Sequence, residues 1–227
     1  MNISSTTFDF LTALKQNNNR EWFNANKQAY ENAKANVEDF IQALIVRLAD
    51  FDPHIDETIS AKKCLFRIYR DVRFSTDKSP YKTWFAAGVS LDGRKLDGPE
   101  YYIHIEPNKT FVAIGYWRPK KEHLELIRQE IDYNLSAFEK ALQEGGWTID
   151  DLSKEDKLKR PPAGYSEDQQ AIELIKLKSF IIYKPLSDQQ ALKPFALEDI
   201  TQIFQRTLAF KNFIALLFLQ VFIAIIL

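Results

Sequence analysis

The segment Lys62 to Lys82, KKCLFRIYRDVRFSTDKSPYK, holds most of the side chains here that are suited to chemistry. It carries seven lysines and arginines against two aspartates, a local charge of +5 in a chain whose net charge is −1. Concentrated positive charge in an otherwise acidic protein points to an anion site or to a tightly paired internal network. Arg67, Arg70, Arg73, Lys78, Tyr81 and Lys82 are the candidate ligand contacts, with Tyr69, Asp71 and Asp77 in support. Arginine offers paired planar donors that match phosphate and carboxylate, and lysine adds a compact point charge. The competing reading is that Asp71 and Asp77 neutralise neighbouring arginines and brace a turn, in a structural or scaffold protein that the apolar residues 213–227 could tether to a membrane. A third reading is an enzyme in which the same cations hold an anionic substrate while Asp71, Asp77, Glu106 or His104 transfers a proton.

Other chemistry is sparse. His104 and Glu106 stand two apart, a spacing that puts them with Tyr102 on one face of a strand, and the reading favoured for them is an exposed polar face. Two such residues are too few for a metal centre. Cys64 is the sole cysteine, read as a buried residue opening a strand, and Trp22, Trp84 and Trp117 are read as core. A second basic patch at Lys157, Lys159 and Arg160 reads as a solvated loop. No phosphate loop, GxGxxG turn, GxSxG elbow, HExxH helix or paired-cysteine zinc motif occurs. No metal and no cofactor are therefore expected, and the catalytic residues, if any, are unknown from sequence.

Composition sets wider bounds. The 227 residues are 45% apolar and 27% charged, ordinary proportions for a globular chain. Near-zero net charge makes nucleic acid an unfavoured partner, whereas a small anionic ligand suits the basic segment. One cysteine permits no intrachain disulfide, and the amino terminus lacks the pattern of a secretory signal. A cytoplasmic location is the expectation. The alternative is membrane association through residues 208–227, where the last fifteen residues, FIALLFLQVFIAIIL, carry no charge. A spanning helix needs about 20 apolar residues, which this run reaches only by including Lys211 and Asn212. Residues 1–212 are read as one domain and 213–227 as an apolar tail. Oligomeric state is not legible.

The elements that must position these side chains follow from periodicity. Phe8, Leu11 and Leu14 predict a short helix capped at Thr6 or Thr7. Apolar residues every three or four positions predict one long helix from Arg20 to Ala49, preceded by a turn at Asn17-Asn18-Asn19. Alternation from Leu65 to Phe74 predicts a strand, with Arg67, Tyr69, Asp71 and Arg73 on one face and a turn at Ser75 to Tyr81. Further strands are predicted at Trp84 to Leu91, Tyr101 to Glu106, Thr110 to Trp117 and Ser179 to Lys184, with Asp92-Gly93 as a hairpin signal. A helix is predicted from Pro119 to Leu142, ended by Gly145-Gly146. Short helices are predicted at Asp168 to Lys176 and Leu186 to Leu192, and a last helix near Leu197. The sum is an α+β domain, an antiparallel sheet packed with amphipathic helices.

Several strings carry a resemblance. RIYRDVRFSTDKSPYK, NNNREWFNANKQAY, YYIHIEP, the run Gly115 to Pro119, and LKRPPAGY followed by LKSF occur in the order found in domain-of-unknown-function family 2461. The chain resembles that mostly bacterial family over about residues 8 to 215. The resemblance implies a fold and no established activity. Members of the family carry a His-Pro pair where this chain has Gln169 and Gln170, so histidine chemistry at that point is absent here. The last ten residues depart from the amphipathic terminal helix that the family implies.

Overall fold

Helix α1 (Ser5–Gln16) begins where the Ser4 side chain accepts a hydrogen bond from the Thr7 amide. The computed structural model, which describes residues 1–90 and 97–226 and side chains through residue 218, therefore moves the cap from Thr6 or Thr7 to Ser4. Thr7 is buried instead, and its hydroxyl donates to Asn36 Oδ1 at 2.9 Å. Asn19 caps α2 (Arg20–Ala25) through a bond from the Trp22 amide. The predicted long helix breaks at Asn26, which separates α2 from α3 (Lys27–Ala49). The Asn26 side chain donates to Trp22 O at 2.9 Å, the local competition that disfavours asparagine inside helices.

A one-turn helix, α4 (Ala61–Cys64), then leads into the basic segment. The predicted strand from Leu65 to Phe74 does not form. Only Leu65 and Tyr69 make isolated bridges, to Ala87 and Tyr81. Arg70 N donates to Pro80 O at 2.9 Å and Lys82 N to Ile68 O at 2.8 Å, so residues 68–70 face 80–82 across an irregular loop. Two aspartates set that loop. Asp71 Oδ1 accepts from Arg73 N at 3.3 Å and Asp77 Oδ1 from Ser79 N at 2.9 Å, each bonding the backbone two residues on. Phe74, expected on the apolar face of a strand, is 96% exposed at the loop tip.

The strands that form are β1 (Phe85–Val89), β2 (Glu100–Ile105), β3 (Phe111–Tyr116) and β4 (Phe180–Pro185), in spatial order β1-β2-β3-β4. The Asp92-Gly93 signal lies outside the described residues. The β2–β3 turn is a tight one, with Asn108 at φ 64° and Lys109 N bonded to Glu106 O at 2.9 Å. Gly115 has φ 129°, and a side chain there would meet Phe180 O at 2.0 Å, so β3 admits only glycine at that point. The helix predicted from Pro119 divides at Asn134 into α5 (Lys121–Tyr133) and α6 (Leu135–Gln143). A short 3-10 helix (Ile149–Asp151), α7 (Ile172–Ile175), α8 (Asp188–Leu192), α9 (Ala196–Gln205) and α10 (Leu208–Ile226) complete the chain. The architecture is α+β: among the described residues, ten α-helices and a four-stranded antiparallel sheet packed against helices.

Chain contacts gather into two compact units. The first comprises Met1–Lys95, Tyr102–Val112 and Lys184–Gln202. Its centre is α3, whose Val37, Phe40, Ile41, Leu44 and Leu48 are fully buried and which packs against α1, α2, α4 and β1. The second comprises Leu96–Tyr101, Ala113–Tyr183 and Ile203–Leu227. Its core gathers Ile127, Ile131, Phe138, Leu142, Phe180 and Phe210. Ile214 and Phe218 of the apolar terminal run are buried in that core too. His123 stacks on Phe218 with ring centres 4.1 Å apart. A clasp closes before the start of α10: Trp147 Nε1 donates to Arg206 O at 3.2 Å, and Arg206 Nε donates to Gly145 O at 2.9 Å. Trp147 takes the buried role expected of Trp117, which is 49% exposed. Among the described residues, no helix is long and apolar enough to cross a membrane.

Candidate functional site

The irregular loop 65–84 borders two clefts within the first unit. The polar one has a volume of about 590 Å³ and is lined by Lys15, Arg70, Lys82, Asp71 and Asp77, with Asn18, Ser79, Tyr81, Thr83 and Trp84 completing its wall. Asn18 ties the wall to the turn after α1. Its side chain donates to Tyr81 O at 2.9 Å and accepts from Tyr81 N at 3.1 Å, doing for Tyr81 what a neighbouring strand would do. Tyr81 is buried and stacks on Phe23 with ring centres 3.9 Å apart, and burial pushes its phenol up from the ordinary value.

The charges of the basic segment are not equally available. The Arg70 guanidinium pairs with Asp77 and also donates to Ser79 O at 3.1 Å and Ser75 Oγ at 3.4 Å. Asp77 accepts from the Ser79 hydroxyl and amide as well, and these bonds followed by Arg70 hold its carboxyl at about 2. Arg73 forms a two-point pair with Asp71, Nε to Oδ1 at 3.0 Å and Nη2 to Oδ2 at 2.7 Å, which holds Asp71 below the usual carboxylate range. Both aspartates are ionised and engaged at neutral pH, which makes them poor proton acceptors. Lys78 Nζ donates to Val72 O at 3.0 Å and Lys82 Nζ to Arg67 O at 2.7 Å. The Lys82 ammonium also lies over the Trp84 ring, 4.9 Å from its centre.

The structure thus brings Arg70, Asp71, Asp77, Tyr81 and Lys82 together and disperses the rest. Arg67 borders a separate cleft, and Lys78 faces a shallow depression beside Arg20 and Val72. Tyr69 is half exposed and tilts against Tyr81 at 5.5 Å. Arg73 reaches solvent with Asp71. Lys15 and Asn18 belong to the polar cleft and escaped the sequence reading. Nothing in the periodicity of α1 or its turn indicates a neighbour more than fifty residues away.

His104 and Glu106 differ from expectation in burial. Each side chain is nearly enclosed, 11% and 12% exposed, and not part of an open polar face. His104 Nε2 lies 3.2 Å from Glu106 Oε2, and Nδ1 lies 3.4 Å from the Tyr102 hydroxyl. The imidazole stacks on Phe111 and tilts against Trp84, with ring centres 4.8 Å away in both cases. Burial pushes the His104 imidazole below its ordinary value, although Glu106 acts in the opposite sense. Glu106 Oε1 is 3.9 Å from Lys15 Nζ, so this buried pair stands behind one cation of the polar cleft. Among the described residues, no group of three or more metal-ligating side chains gathers. Cys64 is fully buried, as expected, but it ends α4 and does not open a strand. In the second unit Lys157 pairs with Glu173, while Lys159 and Arg160 are exposed.

No curated protein and no solved structure matches the chain. The family model of a conserved hypothetical protein, DUF2461, matches residues 6–213, and the chain belongs to that family.

Proposed function

We propose that the chain is a binding module for a small anion of the phosphate type, held in the polar cleft by Lys15, Arg70 and Lys82. One observation carries this reading. Three cationic side chains line a single cleft whose two carboxylates are already engaged with Ser79, Arg70 and Arg73. Asn18, Ser79 and Thr83 supply neutral hydrogen-bonding groups around them, the mixture that orients an oxyanion.

Thermal melting in the presence of inorganic phosphate or pyrophosphate, with sodium chloride matched for ionic strength, tests it. A ligand present at one hundred times its Kd stabilises by about 2.7 kcal/mol. For a chain of this size that is a rise of roughly 5–10 °C. Lys15→Gln is expected to weaken phosphate binding by about tenfold, the loss of one charge-assisted contact. Equal melting in phosphate and chloride would refute the reading.

A further inference from the structure

The second cleft bordered by the basic segment differs in chemistry from the first. Its volume is about 470 Å³, within the range of small-molecule sites. Its floor is apolar and is formed by Tyr30, Leu65, Phe66, Ile68 and Phe85. Tyr30, Ile68 and Phe85 are themselves buried, so the floor is anchored in the packing of the first unit. Its rim is cationic, with Lys62, Arg67 and Lys82 beside the ion pair of Lys34 and Glu38 at 3.2 Å.

Arg67 is the distinguishing residue. It is exposed, and among the described residues no carboxylate lies within ion-pair distance of its guanidinium. Its main chain is nonetheless fixed, because Lys82 Nζ donates to Arg67 O at 2.7 Å. Glu38, the one acid on the lining, is already engaged by Lys34. A planar donor fork that acts on Asp71 only from beyond ion-pair distance, set above an apolar floor, is complementary to a carboxylate that carries an apolar body. A compact hydrated anion would leave the floor in contact with water and gain nothing from it.

We infer that this cleft binds a small amphiphilic carboxylate, with the carboxylate on Arg67 and the apolar body on Leu65, Phe66 and Ile68. The site adjoins the polar cleft, with which it shares Lys82, and its ligand class differs from the phosphate-type anion proposed there.

Calorimetric titration with octanoate, acetate and 1-octanol, kept below the micellar range, tests the inference. Octanoate is expected to bind at least tenfold more tightly than either acetate or 1-octanol, since each lacks half of the recognition. Arg67→Gln, a change at an exposed side chain, is expected to reduce octanoate affinity at least tenfold. Lys15→Gln is expected to leave octanoate affinity unchanged, so loss of phosphate binding alone and loss of octanoate binding alone remain distinguishable. Methyl NMR supplies a second readout: octanoate is expected to shift the Ile68 δ1 methyl and leave that of the fully buried Ile45 in place. Octanoate affinity equal to that of acetate, an unchanged affinity in Arg67→Gln, or an unmoved Ile68 methyl would each overturn the assignment.

Discussion

Arg67 and Arg70 lie three residues apart on one loop and meet opposite conditions. Arg70 is tied to Asp77, Ser79 and Ser75, which fixes its guanidinium in the wall of the polar cleft. Arg67 has its backbone fixed by Lys82 while its side chain stays exposed beside an apolar floor. The local charge of +5 is therefore a poor measure of what the segment offers a ligand. The two aspartates that reduce it are placed on Arg70 and Arg73, so position along the loop decides how each cation is held.

The comparison can be broken most severely at the floor that the clefts share. Phe23 stacks on Tyr81, which lines the polar cleft, and packs 4.9 Å from Tyr30, which lines the apolar one. Phe23→Ala is expected to cost about 3–5 kcal/mol in chemical denaturation, the range for emptying a buried aromatic site, and to impair binding at both clefts. If only one ligand is lost, the floor is not common to both. Asn18→Ala should separate the clefts. Removing its two bonds to the Tyr81 backbone is expected to cost about 2 kcal/mol and to weaken phosphate binding, while octanoate affinity in the same titration stays within twofold.

The two arginines should part in stability. Arg70→Gln is expected to lower the urea midpoint clearly, whereas Arg67→Gln is expected to stay within about 0.5 kcal/mol of the parent, as for an exposed residue without internal bonds. Equal losses would mean that Arg67 also braces the loop.

The smallest effect concerns pH. Burial lowers the His104 pKa from its ordinary value of 6.5, so on acidification the unfolded chain takes up the proton first. The stabilisation is fully present above about pH 6.5 and is lost as pH falls toward the folded-state value. Denaturation midpoints measured from pH 8 to pH 5 should decline below that point, and His104→Gln should flatten the decline. Among the described residues, Glu106, Lys109 and Tyr102 are ionisable groups that act on or bond His104, Lys15 lies behind Glu106, and Glu106 opposes the shift. His123 is lowered in the same sense, so the variant retains part of the slope.

Much of the scaffold is legible in the amino-acid order, because burial imposes a period. The stripe through Val37, Phe40, Leu44 and Leu48 marks α3, and the alternation of apolar residues marks β2 and β3. The errors have local causes. Asn26 and Asn134 each interrupt an apolar stripe that runs on unbroken past them, so periodicity joined helices that the backbone separates. From Leu65 to Phe74 an alternation of side chains imitates a strand, while Asp71 and Asp77 bond two residues ahead and bend the chain. The segment that bears the candidate site stands out by charge alone. Its partners Lys15 and Asn18 could not, since tertiary proximity leaves no mark on α1, and neither could the difference between Arg67 and Arg70.

The clasp at the end of α6 has a consequence for α10. Residues 208–218 of that helix read LAFKNFIALLF, apolar on nearly every side, and Leu216 is half exposed. Such a helix gains almost as much by burying one face as another, so its hydrophobicity does not choose its azimuth. The choice falls to directional contacts: the Arg206–Gly145 and Trp147–Arg206 hydrogen bonds at its entrance, and the His123 ring on Phe218 two turns beyond Lys211. A side chain at Gly145 would sit 1.6 Å from Arg206 O. The rotational phase of the terminal helix is thus indexed from outside the helix, by Gly145, Trp147 and Arg206 at its entrance and by His123 further along, like a shaft keyed at two points.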